Sequence, residues 1–473
     1  MILVKRSLYL LLLIFTLSVG NANLNGLYSG EAIHEDHLLN NSNTSYISNK
    51  PGPAQEVYER RLALVKQTPG LSAFWDFVKR EDGPQGSGKF IAHTSPGDTS
   101  RYMLEPHNIS LDFWKDGDVA TMDDFPLLGR GPFGQGVLFR RPRTQNDLPV
   151  LMVSREMMHD SPLDVKGPGS SVSMVVWLIH QEGSHAIAGL WHEGTDTPPT
   201  GIQAEVLERG RRQYGMFAGM VANSGASSAH ISENGLPSFG DIYARHLAVT
   251  PEKMKRIPLD ASDDILDAGW SVVGFVFDNE NNTLTAYLDG VATDWWIDNP
   301  ADNRFFHPNA NAWRQTKLAK IPGLQPGEDP DYPVDQYYSP PEDSPLQEEF
   351  ISESTDERVV LRTYEFTKVG TVQRRDENGQ FIDTDTFDLV SLKVNPYYFN
   401  HDIYEPTTLE EGGPFTIGRV IHSNRHPTLT AYFGGVAVYN HALSADQMNI
   451  LAQIGRSDPY VIELADINSN APK

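Results

Sequence analysis

Three apolar runs constrain the fold of this 473-residue chain most strongly. The runs are Val172–Ile179 (VSMVVWLI), Trp270–Phe277 (WSVVGFVF) and Val436–Tyr439. Apart from one serine in each of the first two, they have no polar side chain before the final tyrosine, which is typical of strands covered on both faces. Thr283–Leu288 alternates instead, and Asp289-Gly290 follows it, which predicts the second strand of a hairpin. No long helical pattern separates these strands. The spacing therefore predicts an all-β antiparallel sandwich.

The two ends of this strand-rich region resemble one known family. The phrase Gly-Gly-Val-Ala-Val-Tyr-Asn within Ala431–Asn440, followed by a capping box from Ser444 to Gln447, resembles the C-terminal strand of bacterial laminin-G-like domains. The phrase Pro-Gly-Leu-x-x-Phe-Trp-Asp-Phe at 69–77 resembles their opening strand. Those domains belong to the concanavalin A-like lectin/glucanase superfamily. The resemblance implies a jelly-roll β-sandwich in which Leu71–Val78 and Phe433–Tyr439 are neighbouring strands.

The two family-like phrases lie near the two ends of the chain. The resemblance therefore predicts one domain with insertions and not several domains. Lys5 and Arg6 before an apolar core of 13 residues, Ser7–Val19, predict a signal peptide cut after Ala22, with a retained anchor as the alternative. Trp295–Glu353 lacks periodicity and reads as a loop insertion. The predicted order is signal peptide 1–22, flexible leader 23–52, short helix 53–68, sandwich 69–456 with an insertion around 297–385, and tail 457–473.

The amino-acid composition limits the cellular location of the protein and the classes of partner that it can bind. The chain has no cysteine, which excludes disulfides and thiol catalysis and fits export from a bacterium. We therefore expect a secreted or periplasmic protein that leaves the membrane once the signal peptide is cut. The net charge of −24 repels nucleic acid and anionic membranes. It also disfavours an acidic glycan unless a basic patch, such as Arg209–Arg212, offsets it.

Candidate ligand-binding residues lie in three phrases that could line one sheet and in an aromatic pair before the irregular segment. The phrases are Trp191–Glu193, Arg211–Tyr214 and His230–Glu233, and the pair is Trp295-Trp296. Aromatic faces cover the C–H faces of sugars, and planar polar groups form paired hydrogen bonds with their hydroxyls. Trp191 itself is better explained as core, and Tyr214 fits the core or a cleft equally well. The candidates are His192, Glu193, Arg211, Arg212, Tyr214, His230, Glu233, Trp295 and Trp296.

The same residues include candidates for catalysis. Glycanases of this superfamily often carry Glu-x-Asp-x-x-Glu on one strand, and the chain lacks that motif. A lyase would need a base beside an arginine, which predicts Tyr214, His230 and Glu233 as the catalytic set if the protein is an enzyme. No cofactor is required. A calcium ion at a sandwich rim remains an alternative, because scattered oxygen ligands leave little trace in sequence.

These observations favour a secreted, lectin-like carbohydrate-binding protein that acts on an extracellular polysaccharide. The alternative is a polysaccharide-cleaving enzyme, a lyase or an atypical hydrolase, on the same fold. The expected partner is a polysaccharide or oligosaccharide.

Overall fold

The computed structural model describes residues 53–142, 144–192, 211–219, 225–233, 235, 246–299, 344–421 and 429–456. The predicted signal peptide, leader and tail lie outside these residues. The helices are α1 (Gln55–Gln67), α2 (Ile109–Trp114), α3 (Arg155–Met158), α4 (Asp263–Asp267) and α5 (Ala445–Gln453). The first ten strands are β1 (Leu71–Trp75), β2 (Phe90–Ile91), β3 (Met103–Asn108), β4 (Val137–Phe139), β5 (Pro149–Val153), β6 (Val172–Glu182), β7 (Ala186–His192), β8 (Arg211–Ala218), β9 (Ala226–Ile231) and β10 (His246–Lys253). The others are β11 (Ser271–Asp278), β12 (Thr283–Leu288), β13 (Trp295–Asp298), β14 (Gln347–Glu353), β15 (Glu357–Thr363), β16 (Thr367–Arg375), β17 (Phe381–Asn395), β18 (Tyr397–Tyr398), β19 (Phe415–Ile417) and β20 (Thr430–Tyr439).

Two antiparallel sheets form the body of the fold. The first sheet has the order β1-β20-β6-β11-β12-β18, with β4 also beside β20, and the second has the order β10-β9-β8-β7-β19-β5-β3-β2. Their facing side chains share one apolar core, in which Val176 and Phe275 of the first sheet join Leu190 and Met216 of the second. The protein is therefore an all-β sandwich, as predicted.

The predicted pairing of the first and last strands is confirmed. β1 runs antiparallel to β20, with Ala73 opposite Val438 and Trp75 opposite Val436. The glycines of β20 sit at a shift of register against β6. A Cβ atom on Gly434 would lie 2.6 Å from the Pro132 ring and 2.7 Å from the Trp270 ring. Glycine is therefore needed there because other groups pack directly on the backbone.

Helices cover the outer face of the first sheet. Leu64 and Val65 of α1 and Met448 and Leu451 of α5 pack in one apolar cluster with Trp177. The predicted helix at 53–68 and the capping box of α5 are both observed. In the part of the chain that the structure describes, no helix is both long and apolar enough to cross a membrane. Burial is predicted for five side chains that lie in strand-like apolar runs, and all are at most 8 % exposed: Trp177, Trp270, Phe275, Leu288 and Val438.

The sequence of Phe90–Leu111 predicts one strand, but the structure has three elements there. β2 ends at Ile91 and β3 starts at Met103, with a turn between them. The chain then enters α2, because the Asn108 side chain accepts a hydrogen bond from the Ser110 amide and caps the helix. The apolar residues of this segment therefore belong to two strands and a helix. A pattern of alternating apolar residues does not reveal the boundaries between them.

The predicted insertion contains a third sheet, with the order β13-β17-β16-β15-β14. The expectation of an irregular segment at Trp295–Glu353 is wrong at both ends, which are β13 and β14, and its residues 300–343 lie outside the described residues. The sequence predicts a hairpin formed by Val359–Val369 and Phe387–Val394. The structure has three strands there, β15, β16 and β17, because the chain also turns at 364–366.

Candidate functional site

A bulge in β8 decides which way the candidate side chains point. Leu190 of β7 lies opposite Tyr214, but the next residue, Trp191, lies opposite Arg212, so Gln213 is the extra residue. The bulge turns Arg212 to the outer face of the second sheet and leaves Tyr214 on the core face. Period-two alternation would have placed both side chains on one face.

The three predicted phrases do meet on the outer face of the second sheet. The Trp191 ring centroid is 5.4 Å from that of His230 on β9, and the Arg212 guanidinium lies 5.8 Å from the Trp191 ring. The Phe217 ring is 4.3 Å from His230 and completes the group. We call Trp191, Arg212, Phe217 and His230 the outer-face cluster.

The outer-face cluster is packed away from solvent. Its four side chains are at most 1 % exposed. Gly215 lies beneath it, where a Cβ atom would come within 3.1 Å of the Phe217 ring and 3.5 Å of Trp191. The expectation that Arg212 and His230 contact a ligand is therefore wrong for the described conformation, because neither side chain reaches the surface. Trp191 is buried as predicted, but in this outer layer and not in the main core.

Tyr214 is a core residue, and the prediction that it faces a ligand is wrong. It is fully buried between the sheets, where its hydroxyl donates to the Leu163 carbonyl at 2.7 Å. Burial, reinforced by the charge of Asp164, raises the pKa of Tyr214 well above its ordinary value. A tyrosine in this setting keeps its proton and has no access to a substrate, so the catalytic role predicted for it fails.

The predicted acidic candidates have different outcomes. Glu233 follows β9 and forms an ion pair with His401, whose Nδ1 lies 2.9 Å from its carboxylate. With a side chain only 11 % exposed, Glu233 ties the end of β9 to the segment after β18. The predicted catalytic set of Tyr214, His230 and Glu233 therefore contains two buried rings and one paired carboxylate. Glu193 lies outside the described residues.

A partly accessible group lies just beyond the outer-face cluster, where β7 ends and β8 begins, although its His192 is itself only 2 % exposed. Arg211 is partly exposed, and its Nη1 lies 3.1 Å from Nδ1 of His192. The Phe113 ring of α2, 37 % exposed, lies 5.6 Å from the His192 ring. We call Phe113, His192 and Arg211 the strand-end patch. Sequence reasoning found two of its members and missed Phe113, which lies two residues beyond the strand predicted at Phe90–Leu111.

The tryptophan pair is not part of this region. Trp295 and Trp296 form the start of β13 and pair with β17 in the third sheet. Both are half-buried, and Trp295 packs against the main core. The ammonium groups of Lys368 and Lys393 lie 5.1 and 5.8 Å from the Trp296 ring. Neither ring is fully exposed and two lysines lie over Trp296, so a sugar-binding role for the pair stays a prediction.

One group of potential metal ligands occurs among the described residues: His159, Asp160 and Asp164, whose ligand atoms lie within 4.8 Å of one another. Asp164 is unsuited to a cation, because Arg155 contacts both of its oxygens and Lys166 lies 3.0 Å away. Two positive charges beside the shared carboxylate oppose calcium at this place. Calcium elsewhere remains a prediction.

No protein-family model and no curated protein sequence matches the chain. Solved structures that resemble it include the binding domain of botulinum neurotoxin serotype D, at 8% identity and a TM-score of 0.31, over 83% of this chain and 52% of that one. The binding domain of Paraclostridial Mosquitocidal Protein 1 matches at 8% identity and 0.32, over 81% and 52%.

A third similar structure is domain 4 of AbnA, a GH43 extracellular arabinanase from Geobacillus stearothermophilus, in complex with arabinotriose. It matches at 10% identity and a TM-score of 0.30, over 82% of this chain and all of that domain. The chain spans about half the length of the toxin binding domains that it matches. The laminin-G-like resemblance is matched by no family model and stays a prediction, while the sandwich itself is observed.

Proposed function

We propose that this is a secreted carbohydrate-binding protein and that the strand-end patch is its ligand surface. The observation that supports the proposal most directly is the exposed Phe113 ring beside His192 and the partly exposed Arg211. An exposed aromatic ring offers a surface for the C–H face of a sugar, and a guanidinium offers parallel donors to neighbouring oxygens. Packing holds these groups in place before a ligand arrives.

The charge of the patch favours an acidic glycan. The chain as a whole carries a net charge of −24, so a polyanion is repelled at long range. Arg211 and the buried Arg212 beside it supply local positive charge on β8. A guanidinium binds a carboxylate with two parallel hydrogen bonds, so a uronate-containing polysaccharide is the expected ligand class.

Cleavage of the polysaccharide, the alternative function, has less support. A lyase requires a titrating base within reach of its substrate. Tyr214 is buried with a raised pKa, and His230 is enclosed by Trp191 and Phe217. Binding without turnover is therefore the function proposed here.

The test is binding of the full chain to an array of acidic and neutral polysaccharides, followed by calorimetry on the best ligand. Phe113→Ala and Arg211→Ala should each weaken binding at least tenfold, or about 1.4 kcal/mol. Arg140→Ala is the matched control, because Arg140 is an exposed arginine after β4 and outside the patch. Equal affinity in all variants would overturn the proposed surface, and new unsaturated ends in the product would favour the lyase.

A further inference from the structure

A second region of the molecule offers polar groups to a ligand and lies outside the strand-end patch. Where β6 begins and β20 ends, the structure has a cavity of about 500 Å³. We call it the end cavity. Its size lies in the range of about 300–1,000 Å³ that small-ligand pockets occupy, but its lining is mostly polar. The lining residues are Asp160, Ser161, Pro162, Asp164, Val165, Lys166, Gly169, Ser170, Ser171, Glu405, Asn440 and His441.

One wall of the end cavity is fixed by the buried Asp164. Its carboxylate accepts hydrogen bonds from Arg155 at 2.5 and 2.9 Å, from Gln213 at 3.0 Å and from the Asp160 amide at 3.0 Å. Lys166 lies 3.0 Å from Asp164 and 2.5 Å from Asp160. These contacts fill the acceptor positions of Asp164 and bind Lys166 to two carboxylates. Both side chains therefore build the wall and are not available to a ligand.

The part of the lining that Asn440 and His441 form is held by its backbone. Ser173 of β6 donates to the His441 carbonyl at 2.7 Å, and the Asn440 amide donates to the Gly70 carbonyl at 2.8 Å. No described residue forms a hydrogen bond or ion pair with the Glu405 carboxylate, the His441 ring or the Asn440 side chain. A carboxylate, an imidazole and an amide thus line one cavity with their donors and acceptors uncommitted.

The charges around the cavity select against anions. Asp160, Asp164 and Glu405 are acidic, while Lys166 faces the cavity and Arg155 lies behind Asp164. Because Arg155 and Lys166 are paired with Asp164 and Asp160, the charge of Glu405 is the one left unbalanced. A uronate or a sulfate would approach an uncompensated carboxylate. A neutral hydroxyl would instead donate to it.

We infer that the end cavity binds a neutral, hydroxyl-rich ligand of the size of one uncharged sugar unit, through Glu405, His441 and Asn440. Carboxylate and amide oxygens accept from hydroxyl groups, and the imidazole and the amide nitrogen donate to them. The scarcity of apolar lining disfavours a lipid or an aromatic ligand. The inference shares with the proposed function only the class of ligand, since the two sites have no residue in common.

The probes are the methyl glycosides of glucose, galactose and mannose, with glucuronate and galacturonate as acidic counterparts, measured by ligand-observed NMR titration on the full chain. At least one neutral glycoside should bind the wild type, and Glu405→Ala and His441→Ala should each weaken it at least fivefold. Glu405 is exposed and His441→Ala keeps the Cβ that contacts Gly70, so both variants should fold. Glu410→Ala is the matched control at a nearby exposed glutamate and should leave binding unchanged.

Charge reversal sharpens the test. Glu405→Lys should admit glucuronate or galacturonate, whereas Glu410→Lys should not. If no neutral glycoside binds, or if Glu405→Ala binds as well as the Glu410 control, the inference is overturned. Arg211→Ala separates this result from the proposed function. It should weaken polysaccharide binding at least tenfold and leave monosaccharide binding intact. Loss of monosaccharide binding in Arg211→Ala would overturn the end cavity, whereas unchanged polysaccharide binding would overturn the strand-end patch and leave the inference on the end cavity standing.

Discussion

The outer-face cluster and the end cavity both contain polar and charged side chains. These side chains are enclosed in the cluster and are open to a ligand in the cavity. In the cluster, Arg212 and His230 stand on adjacent strands and are enclosed by Trp191 and Phe217. In the cavity, polar groups such as Glu405 come from loops and keep their hydrogen-bonding capacity. A strand fixes a side chain against its neighbours at about 5 Å, so large residues there fill the space themselves. Loops at the ends of the same strands leave room for a ligand.

The two regions are joined by one carboxylate. The bulged Gln213 of β8 reaches away from the cluster and donates to Asp164, which forms a wall of the cavity. Arg155 and Lys166 converge on the same carboxylate. A change at Asp164 should therefore disturb both regions, whereas a change within either region should remain local.

The largest effect is expected for Asp164→Ala. Removing this carboxylate leaves the buried Arg155 without its partner, which typically costs roughly 3–5 kcal/mol in the free energy of unfolding. Chemical denaturation of the variant measures the loss. Asp160→Ala is the control, because that side chain is 68% exposed and its pair with Lys166 should contribute at most about 1 kcal/mol. Similar losses in the two variants would contradict the role given to Asp164.

Lowering the pH should reduce the stability that Asp164 contributes to the fold. Burial alone would raise the pKa of Asp164, but the hydrogen bonds from Arg155 and Gln213 hold it below the ordinary value of 3.8. The unfolded chain therefore binds a proton at higher pH than the folded one. The stability that Asp164 contributes is present above about pH 5 and is lost as pH falls through 3.8 towards the folded pKa. Denaturation between pH 6 and pH 3 should show a decline that is smaller in Asp164→Asn.

A second carboxylate, Asp76, should also lower the free energy of unfolding as the pH falls. Burial would raise the pKa of Asp76, but its hydrogen bond and ion pair with His93, 2.8 Å away, lower it, and the Lys79 amide adds to this. Asp164→Asn should therefore reduce the slope with pH without removing it. A slope identical to that of the wild type would mean that Asp164 does not titrate with unfolding.

The sequence predicted those parts of the fold that depend on local pattern. The apolar run of β6 and the capping box at Ser444 each depend on residues close in the chain, and each is observed where it was expected. The pairing of β1 with β20 is a long-range feature, and the resemblance of the two end phrases to one family supplied it.

The candidate site was harder to predict because it depends on one inserted residue. The bulge at Gln213 separates Arg212 from Tyr214 across the sheet, and nothing in the letters RRQYG marks it. Phe113 was missed because a single cap at Asn108 converts the end of a strand into α2. Glu405 and His441 were missed because they lie 36 residues apart on loops that meet only when β20 pairs with its neighbours.

A Gly215→Ala substitution beneath the outer-face cluster should destabilise the protein less than Asp164→Ala does. The Cβ atom of a Gly215→Ala variant would lie 3.1 Å from the Phe217 ring, which His230 contacts at a centroid distance of 4.3 Å. The ring has little space to retreat, so overpacking should cost about 1 kcal/mol or somewhat more. Thermal or urea unfolding measures it. A loss below about 0.5 kcal/mol, the scatter of surface changes, would mean that the cluster can open.

The smallest effect is expected at the third sheet. Lys368 and Lys393 lie over the Trp296 ring, so that face is closed to a sugar. Trp296→Ala should therefore leave the affinity for the best polysaccharide within about twofold, under roughly 0.5 kcal/mol, while Phe113→Ala weakens it at least tenfold. Both changes remove an aromatic ring, so the pair separates stacking at the patch from a general loss of aromatic surface. If Trp296→Ala weakened binding as much as Phe113→Ala, the ligand would have to reach the third sheet, and the strand-end patch would be only part of the surface.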